Sequence, residues 1–542
     1  MTTHPPDLAR IEFQEWRARA AADWVADDPH LQAICAARPG LLDAATAFGH
    51  TCANEIDTLA RLTNRDAHLP RLERYDGQGN RIEQVDFHPG YHTIGRRVWG
   101  TGILSRYHTP GRELETLALL YLLAQNGEAG HACPLACTAG MIKILDGVEG
   151  VPPEWRERLM EANYDRRLHA SQFLTEVQGG SDVGSNALVA REAGEGWWTL
   201  HGEKWFCSVI DAGLFLVTAR AETAPPGTRG LRAFVVPREV AGAVNQFRIR
   251  RLKDKLGTRS MASAEVDFEG ARALPVGDFR RTVEIVLNTS RLYNAVCAAA
   301  ALQRAWREAD AYARARRAFG ERLIEFPGVA RIVARLRVEA AAARALTFHL
   351  ADLADALALG EASVSGPPAA SPGARDAWRM LINLNKIWTA LTCPQGVREA
   401  IEVMGGNGAI EEFSVLPRLL RDSLVMEAWE GGHGVLCAQL LRDARRGLAD
   451  AMFDHLDGIT TEADAEDLAR LRTRWQRVVE RRDAEVVMRD LVEEARPVIQ
   501  GICLRRQGVP AVWITHLRTA TSRGWDPLDD DGIMSRVVQI LG

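Results

Sequence analysis

The feature that most constrains the fold is a change of pattern along the 542-residue chain. Residues up to about 170 carry the apolar spacing of helices, whereas residues 171–278 hold short β-branched or aromatic runs separated by Gly, Pro and Asn. From about residue 279 onward, long Ala- and Arg-rich stretches return to helical spacing. Helices, then strands, then helices is not the alternation of a doubly wound fold, so the sequence predicts an α+β protein with a separate strand domain.

This pattern predicts four domains and the elements inside them. The predicted domains are an N-terminal helical domain, a β-barrel, a helical bundle and a C-terminal helical appendage, at residues 1–170, 171–278, 279–446 and 447–542. The predicted strands are residues 197–202, 214–220, 231–237 and 264–268. The predicted helices are residues 114–126, 141–145, 283–318, 329–359, 375–404 and 435–446. Pro- and Gly-rich residues 363–373 are predicted to be a surface loop.

Composition points to an ordinary soluble protein. The formal net charge is −5, so nothing global calls for a polyanionic partner. No apolar run approaches the roughly 20 residues that span a bilayer, and the first residues lack the pattern of a secretory signal. The nine cysteines are scattered, which predicts reduced thiols, a cytoplasmic location and no metal site.

Two short motifs in the strand region carry the strongest chemical signal. Residues 174–182 read Leu-Thr-Glu-Val-Gln-Gly-Gly-Ser-Asp, and residues 204–208 read Lys-Trp-Phe-Cys-Ser. The first sets two hydroxyls beside glycines, which lets main-chain N–H groups approach a flat polar ligand or a phosphate. The second sets two aromatic side chains beside another hydroxyl. A polar loop before a β-hairpin is the simpler alternative for either motif alone.

Together and in this order, the motifs resemble the flavin-binding segments of the acyl-CoA dehydrogenase family. The resemblance covers residues of about 70 to 446 and implies two helical domains around a small β-barrel, with FAD as the cofactor. Residues 74–81, 86–89 and 251–260 further resemble the AidB branch of the family, whose members are adaptive-response flavoproteins induced by DNA alkylation.

The resemblance assigns cofactor contacts to residues in both motifs. Thr175 is expected to bond the pyrimidine edge of the flavin, with turn capping as its alternative role, and Ser181 is expected near the pyrophosphate. Phe206 is expected against the flavin ring, Ser208 is expected to reach flavin N5 and O4, and Trp205 is predicted to be barrel core. The implied contacts in these motifs are Leu174, Thr175, Gly180, Ser181, Phe206, Cys207 and Ser208.

Two later segments also resemble family motifs. Residues 316–320, Arg-Arg-Ala-Phe-Gly, resemble a turn whose Arg reaches the FAD pyrophosphate of a neighbouring subunit. Arg316 suits a diphosphate because its planar fork donates two parallel hydrogen bonds, while a solvated helix end is the alternative. Phe319 belongs to the same implied contact. Gly405 and Gly406 are expected to allow main-chain approach to the cofactor, whereas Arg418 follows at a longer spacing than usual.

Glu430 is the predicted catalytic base. Residues 429–431, Trp-Glu-Gly, resemble the family segment whose Glu removes the α-proton of an acyl thioester while hydride leaves the β-carbon for flavin N5. This chemistry needs a carboxylate whose pKa is raised by desolvation. Residues 288–291, the earlier position that carries the base in some members, read Asn-Thr-Ser-Arg and offer no carboxylate. A surface Glu in a glycine-rich loop is the alternative.

The loop after the predicted base departs from the family pattern. Residues 430–434 read Glu-Gly-Gly-His-Gly, so Gly432 and Gly434 stand where two polar cofactor contacts are usual. His433 is predicted to be an exposed loop residue, with a second polar contact as the alternative. The remaining predicted cofactor contacts are Trp429, Gly431, Gly432 and Gly434.

The C-terminal appendage holds one helix with a basic face, opposite a face of apolar residues at 468, 471, 475 and 478. A basic stripe can neutralise DNA phosphates, and the AidB resemblance implies DNA binding through this region. From residue 441 onward, however, 16 Arg stand against 18 acidic residues, which favours a solvated, salt-bridged face. The possible DNA contacts are Arg470, Arg474, Arg477 and Arg481.

The predicted function is therefore FAD-dependent α,β-dehydrogenation of an acyl thioester, most simply an acyl-CoA. The resemblance implies a homo-oligomer, in its family form a tetramer, and an electron-transfer flavoprotein or oxygen as the electron acceptor. Two alternatives stay open. One is a flavoprotein that mainly binds or protects DNA, with vestigial redox activity, and the other is a flavin oxidase or oxygenase on this fold with a non-CoA substrate.

Overall fold

The computed structural model describes residues 5–360, 373–521 and 530–542. The loop predicted at residues 363–373 lies outside these residues except for Gly373. The chain divides into two compact units, and each is described by itself. The first unit holds Met1–Glu55, Pro110–Gly127 and Arg291–Gly542, and the second holds Ile56–Thr109 and Glu128–Ser290.

Helices are the main elements of the structure, as the sequence predicts. In chain order they are α1 (Pro5–Ala20), α2 (Pro29–Ala36), α3 (Leu41–Thr51), α4 (Asp57–Thr63), α5 (Pro89–Trp99), α6 (Glu113–Ala124), α7 (Ala129–Leu145), α8 (Pro153–Leu159), α9 (Phe279–Ala315), α10 (Pro327–Leu359), α11 (Ala374–Met404), α12 (Leu416–Ala428), α13 (His433–Ala444), α14 (Leu448–Asp457), α15 (Glu462–Val479), α16 (Ala484–Arg506), α17 (Ala511–Thr521) and α18 (Ile533–Leu541). Each helix predicted from the sequence overlaps one of these. The longest, α9, ends three residues before its predicted end.

The first unit is built on α10 and α11, which pack against each other. Most buried residues of α10 are Ala or Leu, and small side chains let two helix backbones approach closely. This helix has Pro327 in its first turn and ends before Gly360, whose φ of 67° is the left-handed conformation that glycine adopts without a Cβ clash. Every residue of α6 is buried in the same unit, so that helix carries no polar face.

The second unit contains a β-barrel. The strands of the structure are β1 (Arg71–Tyr75), β2 (Arg81–Asp86), β3 (Ala170–Phe173), β4 (Val189–Gly194), β5 (Trp197–Ser208), β6 (Leu214–Ala221), β7 (Leu231–Pro237), β8 (Glu239–Val240), β9 (Ala243–Val244), β10 (Phe247–Leu252), β11 (Ser263–Pro275), β12 (Arg317–Ala318) and β13 (Glu321–Arg322). Pairing runs β11–β5–β4–β6–β7 and returns to β11, which closes the sheet, while β3 pairs with β6 and β10 with β11. Closure leaves the ring without an open edge.

The predicted strand domain is confirmed, and its predicted strands fall within β5, β6, β7 and β11. The strands β3, β4 and β10 were not predicted, because short runs such as Val-Ala-Arg-Glu-Ala-Gly at residues 189–194 lack an apolar alternation. The hairpin of β1 and β2 is also additional to the predicted N-terminal helices. The turn-rich residues 76–80 connect its two strands.

The C-terminal helices belong to the first unit. Helix α15 buries Leu468, Leu471, Trp475 and Val478, which is the predicted apolar face. The prediction that Arg481 continues the helical stripe is wrong, because α15 ends at Val479. Among the residues described here, no helix combines the length and the apolar character needed to cross a bilayer.

Candidate functional site

The two motifs of the barrel lie side by side in the second unit. The main-chain N–H of Trp205 donates to the carbonyl of Thr175 at 3.0 Å. The Lys204 ammonium donates to the carbonyl of Leu174 at 3.2 Å. Hydrogen bonds therefore join the two motifs directly.

A buried ion pair locks the same junction. Lys204 Nζ lies 2.7 Å from Glu176 Oε1, and both side chains are almost wholly buried. Glu176 also accepts hydrogen bonds from the main-chain N–H groups of Ala187 and Leu188. Burial lowers the pKa of Lys204, opposed by the nearby carboxylate. Neither residue has a predicted role, although each motif carries a charged residue that could have indicated the pair.

A β-bulge directs the aromatic residues of the second motif. In the pairing of β5 with β11, Lys204 lies opposite Val266 and Cys207 opposite Ala264, so Trp205 and Phe206 together face one residue. Such a bulge re-aims side chains. The side chain of Phe206 is 55% exposed. The prediction that Trp205 is barrel core is wrong: its ring is half-buried, and the Lys253 ammonium lies 3.4 Å from the ring centroid.

The remaining predicted residues of this unit differ in how they face solvent. Cys207 is fully buried, so its side chain belongs to the barrel core and only its main chain remains for a ligand. The half-buried Ser208 hydroxyl lies 3.0 Å from the Ser263 hydroxyl. Thr175 is half-buried and Ser181 is exposed. A Cβ on Gly180 would come within 3.0 Å of Thr175 Oγ1, so glycine keeps that approach open.

In the first unit, Arg316 follows the end of α9 as predicted. Its guanidinium donates to Glu12 Oε2 at 2.7 Å and lies 5.5 Å from the centre of the Phe13 ring. Residues 317–322 form the short hairpin of β12 and β13. Phe319 stands at its tip with a φ of 52° and 97% exposure, and its ring centre lies 6.4 Å from that of Phe326. An aromatic side chain so exposed contributes little to packing within the described chain.

The glycine segment lies beside the end of α9. Gly405 has a φ of 60°, and a Cβ on Gly405 or Gly406 would meet nothing within 4 Å. Asn407, in the same segment, donates to the Tyr312 hydroxyl at 3.0 Å, one turn before Arg316. Arg418 is buried and donates to the carbonyl of Asn126, so it serves the fold rather than the open surface.

Glu430 occupies a strained turn between α12 and α13. Its φ of 57° lies in the left-handed region, which costs a non-glycine residue about 1–2 kcal/mol. The residue is only partly exposed. Burial raises the pKa of Glu430 to about 7, while the neighbouring charges of Arg291 and Lys386 act to lower it. The predicted raised pKa is thus present in the structure, and its cause is desolvation.

The segment around Glu430 is bonded from two helices. Arg291 of α9 donates through Nε to the carbonyl of Glu430 at 3.2 Å. Lys386 of α11 donates to the carbonyls of Glu427 and Gly431, both at 2.9 Å. The earlier helix position, where some family members carry the base, therefore supplies a cation that contacts the turn. This role of Arg291 was not predicted from the sequence.

The altered loop after Glu430 begins helix α13. His433 Nε2 lies 3.0 Å from Glu427 Oε2, so the prediction of a simply exposed loop histidine is wrong. Burial lowers the pKa of His433, opposed by that carboxylate. A Cβ on Gly432 or Gly434 would meet nothing within 4 Å, and Trp429 is half-buried. The loop therefore leaves open space beside the carboxyl-bearing turn.

The arginines of the appendage are mostly paired. Arg470 contacts Glu466 and Asp467, and Arg474 lies 3.2 Å from Glu494. Arg481 lies 2.7 Å from Asp483. Arg477 is exposed. Carboxylates therefore already occupy three of the four guanidinium groups that the sequence offers for phosphate.

The closed barrel and the helical segments that precede and follow it in the chain define an acyl-CoA dehydrogenase fold. Residues 171–271 match the family model for the acyl-CoA dehydrogenase middle domain, and residues 279–444 match the model for the C-terminal domain. Residues 16–166 match the model for the N-terminal domain of the adaptive response protein AidB. The chain belongs to the acyl-CoA dehydrogenase family. The match of its N-terminal domain confirms the resemblance to the AidB branch.

Two relatives support this membership. The putative acyl-CoA dehydrogenase AidB of Escherichia coli is 33% identical over 409 residues, which are 71% of this chain and 70% of the relative. Acyl-CoA dehydrogenase family member 11 of Caenorhabditis elegans is 31% identical over 415 residues. That match covers 73% of this chain and 65% of the relative, so the chain spans less than two thirds of that protein.

Solved structures share the fold. The crystal structure of C. elegans ACDH-11 in complex with C11-CoA superposes with a TM-score of 0.81 at 24% identity, covering 95% of this chain and 90% of that one. An acyl-CoA dehydrogenase from Bacillus anthracis, complexed with FAD, has a TM-score of 0.64 at 16% identity and covers 93% and 85% of the two chains. Both similarities establish the architecture.

Proposed function

We propose that this protein is an FAD-dependent oxidoreductase that dehydrogenates an acyl thioester, most simply an acyl-CoA, between its α and β carbons. The observation that carries the proposal is Glu430. A carboxyl group whose pKa burial raises to about 7 can accept a proton near neutral pH and release it again. Its position in a strained, partly exposed turn is typical of a functional residue rather than of a surface loop.

FAD is the cofactor expected of the family, and residues of this chain fit it. Phe206 presents an aromatic face that is 55% exposed, beside the half-buried hydroxyls of Thr175 and Ser208. Gly180 and Gly405 leave the main chain open to close approach. When bound, FAD supplies the acceptor for the hydride that leaves the β-carbon. Aromatic contact and neutral hydroxyls suit the flat, polar edge of such a ring.

The proton is the part of the reaction that belongs to the protein. The ionised Glu430 carboxylate accepts the α-proton of the thioester, and the cations Arg291 and Lys386 favour that ionised form. Main-chain N–H groups of the turn are the candidate donors to the thioester carbonyl, whose charge grows as the proton leaves. A Cβ on Gly432 or Gly434 would meet nothing within 4 Å, so the loop that follows Glu430 is open on these residues to an approaching ligand.

We further propose a homo-oligomer, of tetrameric form as in the family resemblance, with the electrons passed to an electron-transfer flavoprotein or to oxygen. Phe319 supports the oligomer, because a 97% exposed aromatic at a hairpin tip is suited to contact with another chain. Arg316 is expected to reach the diphosphate of a cofactor held by that neighbour. Its present partner Glu12, at 2.7 Å, would then share the guanidinium.

The decisive experiment is an anaerobic titration of the purified protein with a panel of acyl-CoAs, following flavin absorbance. We expect yellow protein with one FAD per chain, and bleaching by at least one acyl-CoA at a rate that rises with pH up to about 7. Glu430→Gln should keep FAD but reduce at least about a hundredfold more slowly. Release of FMN would refute the cofactor assignment, and a Glu430→Gln variant that reduced as fast as the parent would show that Glu430 is not the base.

A further inference from the structure

A buried lysine holds the turn that carries Glu430, and its hydrogen-bond partners are neutral carbonyl groups. Lys386 is fully buried in α11, and its ammonium donates to the carbonyls of Glu427 and Gly431. These carbonyls stand on either side of Glu430 in the chain. Within the described residues, no carboxylate lies in ion-pair distance of Lys386. Burial lowers the pKa of Lys386 to about 8, opposed by the charges of Glu430 and Glu427.

Arg291 is a second buried cation whose hydrogen-bond partners are neutral. It is 4% exposed, and its three nitrogens donate to neutral oxygens: the Glu430 carbonyl at 3.2 Å, the Asn383 amide at 2.8 Å and the Gln439 amide at 3.1 Å. In the described part of the chain it has no carboxylate partner within 4 Å. The guanidinium is therefore satisfied in hydrogen bonds but not in charge.

Two buried cations without ion-pair partners need a physical reason. Taking an ion out of water costs several kcal/mol in a protein, and neutral carbonyls return only part of this. The other charges packed around the turn are already paired with one another. His433 contacts Glu427 at 3.0 Å, and Arg379 contacts Asp443 at 3.0 Å.

Among the residues that the structure describes, the carboxyl of Glu430 is the acidic group near the turn that is not paired with another side chain. Burial raises its pKa, and the charges of Lys386 and Arg291 both lower it, so both cations favour the ionised carboxylate. Their hydrogen bonds also fix the carbonyls of Glu430 and Gly431 in the turn and that of Glu427 at the end of α12, which holds Glu430 in its left-handed conformation. Strained residues persist where their surroundings over-determine them.

We propose that Lys386 and Arg291 are positioning residues for the base: they clamp the turn that presents Glu430 and keep its carboxylate available for proton abstraction at neutral pH. The inference rests on the proposed function, in which Glu430 is the base. It adds a charge requirement that the base alone does not have, since a neutral side chain of the same length can fill space but cannot favour the carboxylate.

The test compares Lys386→Met with Lys386→Arg in the FAD-loaded protein. The rate of acyl-CoA-driven flavin reduction is measured against pH. An opposite charge nearby lowers a carboxyl pKa by about 1–3 units. Lys386 acts on Glu430 in this direction from beyond ion-pair distance, so Lys386→Met should move the rise of the profile upward by about one pH unit. Because the ionised fraction of Glu430 at pH 7 then falls from about one half to about one tenth, the rate at pH 7 should fall about fivefold. Lys386→Arg keeps the charge and should leave the profile near that of the parent.

A second readout needs no turnover. The carboxyl stretch of Glu430, identified by its loss in Glu430→Gln, can be titrated by difference infrared spectroscopy, and it should protonate at higher pH in Lys386→Met. If that variant does not fold, Arg291→Gln removes the other cation and should shift both readouts in the same direction. Arg38→Met is the control, because Arg38 is a cation of the same unit that is paired with Asp352 at 2.8 Å.

The outcomes separate the two proposals. If Glu430→Gln is inactive but Lys386→Met and Arg291→Gln titrate like the parent, the clamp is refuted and the base assignment stands. If Glu430→Gln reduces flavin like the parent, the base assignment itself fails. A shift of the profile in Arg38→Met as large as that in Lys386→Met would also refute a specific role for the two cations.

Discussion

Replacing Glu430 with Gln is expected to stabilise the folded protein at alkaline pH while it abolishes proton abstraction. Burial raises the pKa of Glu430 to about 7, whereas a Glu in an unfolded chain titrates at about 4.3. The folded state therefore holds the proton more tightly than the unfolded state. As a result, the contribution of this carboxyl to stability is greatest below pH of about 4 and is lost as the pH rises to about 7.

The magnitude follows from the same two values. At about 1.4 kcal/mol per pH unit, the interval from about 4.3 to about 7 corresponds to roughly 4 kcal/mol. Solvent contact of the partly exposed side chain reduces this figure, so we expect Glu430→Gln to be more stable than the parent by about 1–3 kcal/mol at pH 8. Gln keeps the shape of the protonated side chain, so the gain should vanish near pH 4.

Urea unfolding of both proteins from pH 4 to pH 9, followed by circular dichroism, measures this difference. Glu412→Gln is a suitable control, because Glu412 is exposed and should show the pH dependence of the parent. Parallel stability curves for Glu430→Gln and the parent at every pH would refute the reasoning. So would a variant less stable than the parent at pH 8, since the ionised carboxylate would then be a stabilising group.

Further predictions concern the barrel, the oligomer and the appendage. Lys204→Met should lower the free energy of unfolding, measured in urea, by about 3–5 kcal/mol, because it leaves the buried Glu176 carboxylate without its cation. The double variant Lys204→Met with Glu176→Gln should recover part of that loss. Arg316→Ala should weaken FAD retention on a desalting column and shift sedimentation towards smaller species; a parent that is monomeric would contradict the premise. DNA retention should be weak and fall steeply with salt, and changing Arg474 and Arg477 to Ala should flatten that slope; tight sequence-specific binding at physiological salt would contradict it.

Much of the fold can be predicted from local sequence patterns. The long helices α9 and α10 follow from Ala-rich runs of helical spacing, and the barrel strands from short β-branched runs between turn residues. The boundary of α15 was less accessible, because the Arg spacing continues past the residue at which the helix ends. Helix ends depend on the last turn and its surroundings rather than on periodicity alone.

Some features of the candidate site can likewise be predicted from local sequence, and others cannot. The motif residues Thr175, Ser208 and Glu430 are visible in the sequence because each needs a particular residue type at a particular spacing. Trp205 is half-buried rather than core, and a bulge at this point breaks the alternation of side chains along the strand. Such a bulge is set by the pairing partner β11, about 60 residues further along the chain.

By itself, the sequence determined the class of fold, the order of helical and strand regions, the cofactor motifs and the carboxyl that serves as the candidate base. Only the tertiary structure decided the electrostatic setting of these groups. Lys386 and Arg291 lie far from Glu430 in sequence, and helix packing brings them to one turn. The pKa of a carboxyl depends on its burial and on charges within a few ångströms. Those distances are fixed by packing between distant segments, so no local pattern contains them.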